Sequence, residues 1–167
     1  MNRDAILSRY RAGLLLFISG LIVSGLTAFP LLAELKLLSS MLGIPAAAGP
    51  DGYTGLCFWI ATVRLGLERT DAAYPWLAYG TDWLAFSHLA IAVFFLGPLR
   101  EPVRNRWVLQ AGLICCAAVV PLALIAGAIR GIPFYWRLID CSFGVFGAVP
   151  LLYCLRLSRF IETESDA

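Results

Sequence analysis

The run from Trp107 to Ala128 most constrains the fold, because about 22 consecutive residues carry no charged side chain. A helix rises about 1.5 Å per residue, so about 20 apolar residues cross the roughly 30 Å hydrocarbon core of a bilayer. The run therefore predicts a membrane-spanning helix, with a kink expected at Pro121.

Three further segments have the same character and give four predicted spans: residues 12–32, 82–97, 107–128 and 134–155. The composition agrees, since 60% of the 167 residues are hydrophobic and 14% are charged. Soluble domains carry about 45–50% apolar and about 25% charged residues. The predicted fold class is all-α: a polytopic membrane protein whose four transmembrane helices form one bundle in a single membrane domain.

The first predicted span follows a polar and basic segment, residues 1–11. Basic residues before an apolar run also describe a cleaved signal peptide. This run is longer than the roughly 7–15 apolar residues of a signal sequence, and no Ala-X-Ala-like site follows it. We therefore favour a retained anchor. Gly20 and Ser24 lie four residues apart and predict a face for close helix contact.

Residues 33–80 form one long connection between the first two spans. Pro45, Pro50 and the small residues between them mark a turn region. After it, apolar residues from Leu56 to Leu67 recur on one helical face, with Arg64 mainly on another. This pattern predicts an amphipathic helix lying in the membrane interface. A short fifth span is the alternative, but Arg64 interrupts the segment before it reaches spanning length.

Local signals predict the ends of the other spans. Thr81 is expected to cap the second span, with Asp82 in its first turn, where the helix dipole favours an anion. A polar loop, residues 98–106, follows that span, and a short turn, residues 130–133, precedes the fourth. A polar tail is predicted after residue 155, with its charges at Arg156, Arg159, Glu162, Glu164 and Asp166.

The placement of arginine predicts the orientation. Eight of the 13 basic residues fall in the N-terminal segment, the 98–106 loop and the start of the tail. Positive residues concentrate on the cytoplasmic side of membrane proteins. We therefore expect a multi-pass protein of the cell membrane with both termini cytoplasmic and residues 33–80 outside. Tyr10 and Trp107 are expected in an inner aromatic belt.

This topology brings six ionisable residues into the outer half of the bundle, no more than about two helical turns from its end. They are Glu34, Asp82, His88, Arg130, Arg137 and Asp140. Ionisable side chains within a membrane are costly, so a functional role is the default hypothesis for them. These six residues form the candidate ligand-binding site.

Asp140 is the leading candidate among them. It shares a helical stripe with Arg137, Gly144 and Gly147. Small residues mark the face on which membrane helices pack, so Asp140 is expected to face other helices rather than lipid. Burying an uncompensated carboxylate is expensive. Asp140 therefore either forms a structural ion pair with Arg137 or Arg130, or belongs to a functional site.

His88 is the only histidine, and two interpretations are open for it. It either hydrogen-bonds across the bundle, or it carries a proton or contacts a ligand, since histidine titrates near neutrality. We expect His88, Arg137 and Asp140 to share a polar pocket roofed by residues 51–70. A zinc site needs three or four ligands, and the scattered cysteines and single histidine predict no metal site.

The sequence identifies no reaction and no cofactor, and whether the protein is an enzyme stays open. It contains no phosphate-binding loop, dinucleotide fingerprint, zinc-protease motif or nucleophile elbow. Its net charge of +2 is too small to indicate nucleic-acid binding. We favour an accessory, scaffold or binding subunit whose partners are membrane lipids and another protein or a second copy. The alternative is a lipid-, quinone- or proton-handling site in the outer half of the bundle.

Overall fold

The computed structural model describes residues 3–163, in which 84% helix and no strand are found. The helices in chain order are α1 (Arg3–Ala28), α2 (Leu31–Met41), α3 (Gly55–Ala73), α4 (Tyr79–Phe94), α5 (Leu96–Arg100), α6 (Arg106–Ile129) and α7 (Phe134–Thr163). The all-α class is confirmed. Two charges of the predicted tail, Glu164 and Asp166, lie outside the described residues.

Four segments of the described chain are long and apolar enough to cross a membrane. They are Arg3–Ala28, Pro75–Arg100, Arg106–Ile129 and Phe134–Thr163. Each contains most of one predicted span and is longer than predicted. Their surfaces are strongly apolar: Ile114, Leu122 and Ile125 of α6 are 70%, 66% and 62% exposed. Exposed apolar surface on this scale marks contact with a membrane or with another protein.

Both predicted boundaries of the second span are wrong. A 3₁₀ turn, Pro75–Ala78, leads directly into α4 at Tyr79, so Thr81 lies inside a continuous helical segment and caps nothing. The predicted 98–106 loop begins as helix, because α5 continues to Arg100. The amphipathic helix predicted after the Pro45–Pro50 turn region is present as α3.

The contacts within the chain define two compact units, residues 3–21 with 90–163 and residues 22–89. In the first unit α1, α6 and α7 contribute a shared apolar core that includes Leu14, Leu109 and Leu151. Phe17 packs against this core with its ring centroid 4.7 Å from that of Phe95. The single membrane domain expected from the sequence stays a prediction.

α1 begins at Arg3, so the predicted start of the first helix at residue 12 is wrong. Ile6, Tyr10 and Leu14 recur every four residues and are at most 2% exposed, which places them on one buried face. The Tyr10 hydroxyl donates a hydrogen bond to the Pro98 carbonyl oxygen at 3.1 Å, the partner that a buried phenol needs. Tyr10 is therefore a core residue and not part of an aromatic belt.

α7 packs closely on α6 through glycine. A Cβ at Gly144 would overlap the carbonyl oxygen of Cys116, and one at Gly147 would lie 3.0 Å from Cys116 Sγ. Gly112 of α6 leaves similar room for the side chain of Leu151. Small residues allow helix backbones to approach in this way. The stripe of small residues on α7 is a packing face, as expected.

α7 also continues through Thr163, where the sequence predicted a polar tail. Arg106 stabilises this extension: its Nε donates to Ser158 Oγ at 3.1 Å, and its Nη2 lies 2.7 Å from Glu162 Oε2. The polar residues of the predicted tail are therefore helical because a side chain from α6 pairs with them.

In the unit of residues 22–89, the end of α1 packs on α4 at Gly25. A Cβ at Gly25 would lie 2.9 Å from the Ala85 carbonyl oxygen. The expected contact pair of Gly20 and Ser24 is wrong, because both residues are exposed. The contact lies one residue further along α1, at Gly25, because Ala85 is small enough for the two helices to approach closely there.

Gly144→Ala is expected to lower the free energy of unfolding by about 1–3 kcal/mol, because the added methyl forces α7 away from the Cys116 carbonyl. The matched control is Gly20→Ala, where a Cβ meets nothing within 4 Å and alanine favours the helix by about 0.5–1 kcal/mol. Thermal unfolding in detergent measures both. A Gly144→Ala protein as stable as the wild type would contradict the close approach of α6 and α7.

Candidate functional site

The six predicted site residues are divided equally between the two compact units. Residues 22–89 contain Glu34, Asp82 and His88. The other unit contains Arg130, Arg137 and Asp140. Each set is described by itself, and the pocket expected to join His88 with Arg137 and Asp140 stays a prediction.

The turn between α6 and α7 positions Arg130 and Arg137. Gly131 has a φ of 72°, a left-handed conformation that glycine adopts without strain. The Ile132 N–H donates to the Gly127 carbonyl at 2.9 Å, which is the hydrogen bond of a helix C-terminal cap. Arg130 is the capping residue of α6 and is exposed, and α7 starts four residues later.

Arg137 binds the last turns of α6. Its Nη1 donates to the Leu124 carbonyl oxygen at 3.1 Å, and its guanidinium carbon lies 5.2 Å from the ring centroid of Phe134. Gly127 leaves room for its stem, since a Cβ there would lie 2.6 Å from Arg137 Cδ. The cation therefore lies near the C-terminal end of α6, where the helix dipole is negative.

Asp140 lies about one turn further along α7 and is half-buried. In the described structure neither Arg137 nor Arg130 forms an ion pair with it. The structural ion pair considered from the sequence is therefore wrong for both arginines. The reason is that the Arg137 guanidinium donates to the Leu124 carbonyl of α6, while Arg130 is exposed at the cap.

His88 makes a hydrogen bond within its own helix. Its Nδ1 lies 2.9 Å from the Leu84 carbonyl oxygen. Because a carbonyl only accepts, Nδ1 carries the proton, and in the neutral ring Nε2 is an acceptor. Asp82 lies in the first turn of α4, as predicted. Both side chains are partly exposed.

Glu34 belongs to a separate helix and does not end the first span. α1 stops at Ala28 and Pro30 takes the N-cap position of α2, because proline has no N–H and clashes with the preceding turn of a continuing helix. Glu34 therefore lies in the first turn of α2. There the positive end of the helix dipole favours its carboxylate.

The sequence missed the charged side chain that the structure buries most deeply among the described residues. Arg64 is 2% exposed and shares the buried face of α3 with Ile60 and Ala61. Its Nη1 donates to the Pro45 carbonyl at 3.1 Å, and its Nη2 donates to the Ala48 carbonyl. The prediction that Arg64 lies away from the apolar face is therefore wrong.

A cavity of about 460 Å³ lies beside Arg64. Residues of α2, of the turn after it and of α3 line it, including Lys36, Ser40, Ile44 and Glu68. Lys36 Nζ and Glu68 Oε1 are 3.8 Å apart. The turn itself could have been predicted from Pro45 and its small neighbours. The arginine that binds the carbonyl oxygens of this turn could not have been predicted, because Arg64 is 19 residues away from Pro45.

Within residues 3–163 no group of three or more His, Cys, Asp or Glu side chains could hold a metal ion. All five cysteines are free thiols. No protein-family model, curated protein or solved structure matches the chain. A function for this chain therefore has to be inferred from the chemistry of the residues described above.

Arg137→Met is expected to lower the free energy of unfolding by about 1–3 kcal/mol, since it removes a charge-assisted hydrogen bond to the Leu124 carbonyl. The matched control is Arg130→Met, which changes the exposed cap residue and is expected to stay within about 0.5 kcal/mol of the wild type. Thermal or denaturant unfolding measures both variants. Equal stabilities of the two variants would contradict the structural role of Arg137.

Proposed function

We propose that this chain is a multi-pass protein of the cell membrane, with a bundle of four spans and both termini cytoplasmic. The four long apolar segments support the spans. The concentration of arginine in residues 1–11, residues 98–106 and the start of the predicted tail supports the orientation. In this setting the apolar faces of the spans contact lipid, and α3 lies in the outer interface.

Within that setting we infer a binding role, as an accessory or scaffold subunit or a small binding protein. The observation that carries this inference is the carboxyl group of Asp140, which shares the packing face of α7 and forms no ion pair with Arg137 or Arg130. A carboxylate in apolar surroundings needs a counter-charge or a proton. A basic side chain of a protein partner, or of a second copy, would supply the counter-charge.

The same carboxyl group favours a second candidate function, a lipid-, quinone- or proton-handling site. An acid without a fixed counter-ion can bind and release a proton, or accept a hydrogen bond from a small molecule. His88, in the unit of residues 22–89, is a separate group that suits the same role, because Nδ1 is held by the Leu84 carbonyl and Nε2 is the nitrogen through which it would act. The two candidates differ in what contacts Asp140: a partner's basic group or a small molecule.

Cysteine labelling tests the orientation. In a cysteine-free background, a single cysteine at Asp51 is expected to react with a membrane-impermeant maleimide added to intact cells. A single cysteine in place of Arg104 is expected to react only after the membrane is permeabilised. Positive residues set which loops stay inside, so labelling of Arg104→Cys from outside would contradict the proposed orientation.

Asp140→Asn tests the binding role. The variant is expected to unfold at about the wild-type temperature, because no ion pair with Arg137 or Arg130 is lost. It is also expected to lose a protein, lipid or quinone that the wild type retains in native purification. Mass spectrometry identifies that molecule and so separates the two candidates.

Asp51→Asn is the matched control for this experiment, because Asp51 is an exposed acid in the loop before α3. It is expected to retain everything that the wild type retains. An Asp140→Asn protein with the full wild-type set of bound molecules and a lower unfolding temperature would contradict the binding role.

A further inference from the structure

We propose a second ligand site, for a phosphate-bearing anion, in the cavity lined by α2, the turn of residues 42–48 and α3. All of its residues lie in the unit of residues 22–89. The proposal is separate from the role of Asp140, which lies in the other unit.

The turn after α2 binds Arg64 and so places its side chain beside the cavity. Gly43 has a φ of 71°, and the Ile44 N–H donates to the Ser39 carbonyl at 2.9 Å, which caps α2 and reverses the chain. The Pro45 and Ala48 carbonyl oxygens then accept hydrogen bonds from Arg64. The turn is thus fixed against α3 by the guanidinium group.

The charge of Arg64 is not neutralised by these contacts. Carbonyl oxygens satisfy N–H donors but carry no net charge, and Arg64 forms no ion pair within the part of the chain that the structure describes. Its Nε–H also has no acceptor there. Removing a cation from water is expensive unless an opposite charge lies nearby, so the site favours an anion.

The other charged groups of the cavity leave an excess of positive charge. Lys36 and Glu68 both line it and pair with each other across 3.8 Å. With Arg64, the lining contains two cations and one carboxylate. Glu68 is already paired with Lys36, so the lining retains a net attraction for one negative charge.

The donors and the size of the cavity indicate the chemical class of the anion. Lys36 and Ser40 line it with an ammonium and a hydroxyl group, and both donate well to phosphate oxygens. Its volume of about 460 Å³ is within the roughly 300–1,000 Å³ of small-molecule sites. Ile44 and Pro45 add apolar lining. These features suit a phosphate group with a short apolar attachment, either a lipid headgroup or a free phosphate compound.

Substitutions at the rim separate this site from a purely structural role of Arg64. Lys36→Gln removes a cation without touching Arg64 or the turn, and binding of the anion is expected to weaken about tenfold, the effect of one charge-assisted contact. Glu68→Gln removes the only carboxylate of the lining and is expected to tighten binding. Arg69→Gln is the matched control, because Arg69 is exposed on the same helix and does not line the cavity.

The experiment uses the full chain in a neutral detergent with two kinds of probe. Native mass spectrometry compares retention of phosphatidylglycerol with that of phosphatidylcholine. Thermal unfolding compares inorganic phosphate with chloride at equal ionic strength. Preference for phosphatidylglycerol alone identifies a lipid headgroup, and stabilisation by inorganic phosphate identifies a free phosphate compound. Either result supports the proposal if Lys36→Gln lowers the lipid retention or the phosphate stabilisation and Glu68→Gln raises it.

Two results would overturn the site. One is a wild-type protein with no preference for phosphatidylglycerol and no stabilisation by phosphate. The other is binding that Lys36→Gln and Glu68→Gln change no more than Arg69→Gln does. Asp140→Asn is expected to leave both probes unchanged, so failure of the binding role of Asp140 does not affect this test.

Discussion

Polar groups on apolar helices have to find partners within the chain, and this constraint accounts for most of the specific contacts of the structure. Tyr10 donates to a carbonyl of α5, and Arg137 donates to a carbonyl of α6. Arg64 donates to two carbonyls of one turn. In surroundings without water an unpaired donor is costly, so these bonds fix where the helices and turns meet. Asp140 forms no ion pair with Arg137 or Arg130 in the described structure, which is why the proposed function depends on it.

The four long apolar segments and the all-helical class could be predicted from the sequence because they depend on local properties. Long apolar runs without charge indicate spans whatever their neighbours are. The ends of the helices could not be predicted in the same way. α7 continues beyond the apolar run because Arg106 pairs with Ser158 and Glu162. α1 starts early because the Tyr10 hydroxyl reaches Pro98. Both bonds join residues more than 50 positions apart.

In the candidate site, too, some features could be predicted from local sequence and others could not. The sequence correctly identified the small-residue face of α7 and the turn at Gly131, since both follow from residue type. It could not tell that Arg137 donates to the Leu124 carbonyl and forms no ion pair with Asp140. It also placed Arg64 away from the apolar face, because the spacing of the apolar residues from Leu56 to Leu67 indicates a stripe on another side of the helix. The carbonyl oxygens that bury Arg64 belong to a distant turn, and no local pattern identifies which side chain they bind.

In the proposed membrane setting, the exposed apolar faces of the long helices contact lipid. Spin labels at Leu122 and Ile125 of α6, in protein reconstituted into bilayers, test it most directly through electron paramagnetic resonance. Oxygen concentrates in hydrocarbon and nickel chelates stay in water, so the two relaxing agents report the surroundings of each label. Contact with lipid predicts strong relaxation by oxygen and weak relaxation by the nickel chelate at both positions. Strong relaxation by the nickel chelate would show that this face contacts water and would contradict the claim.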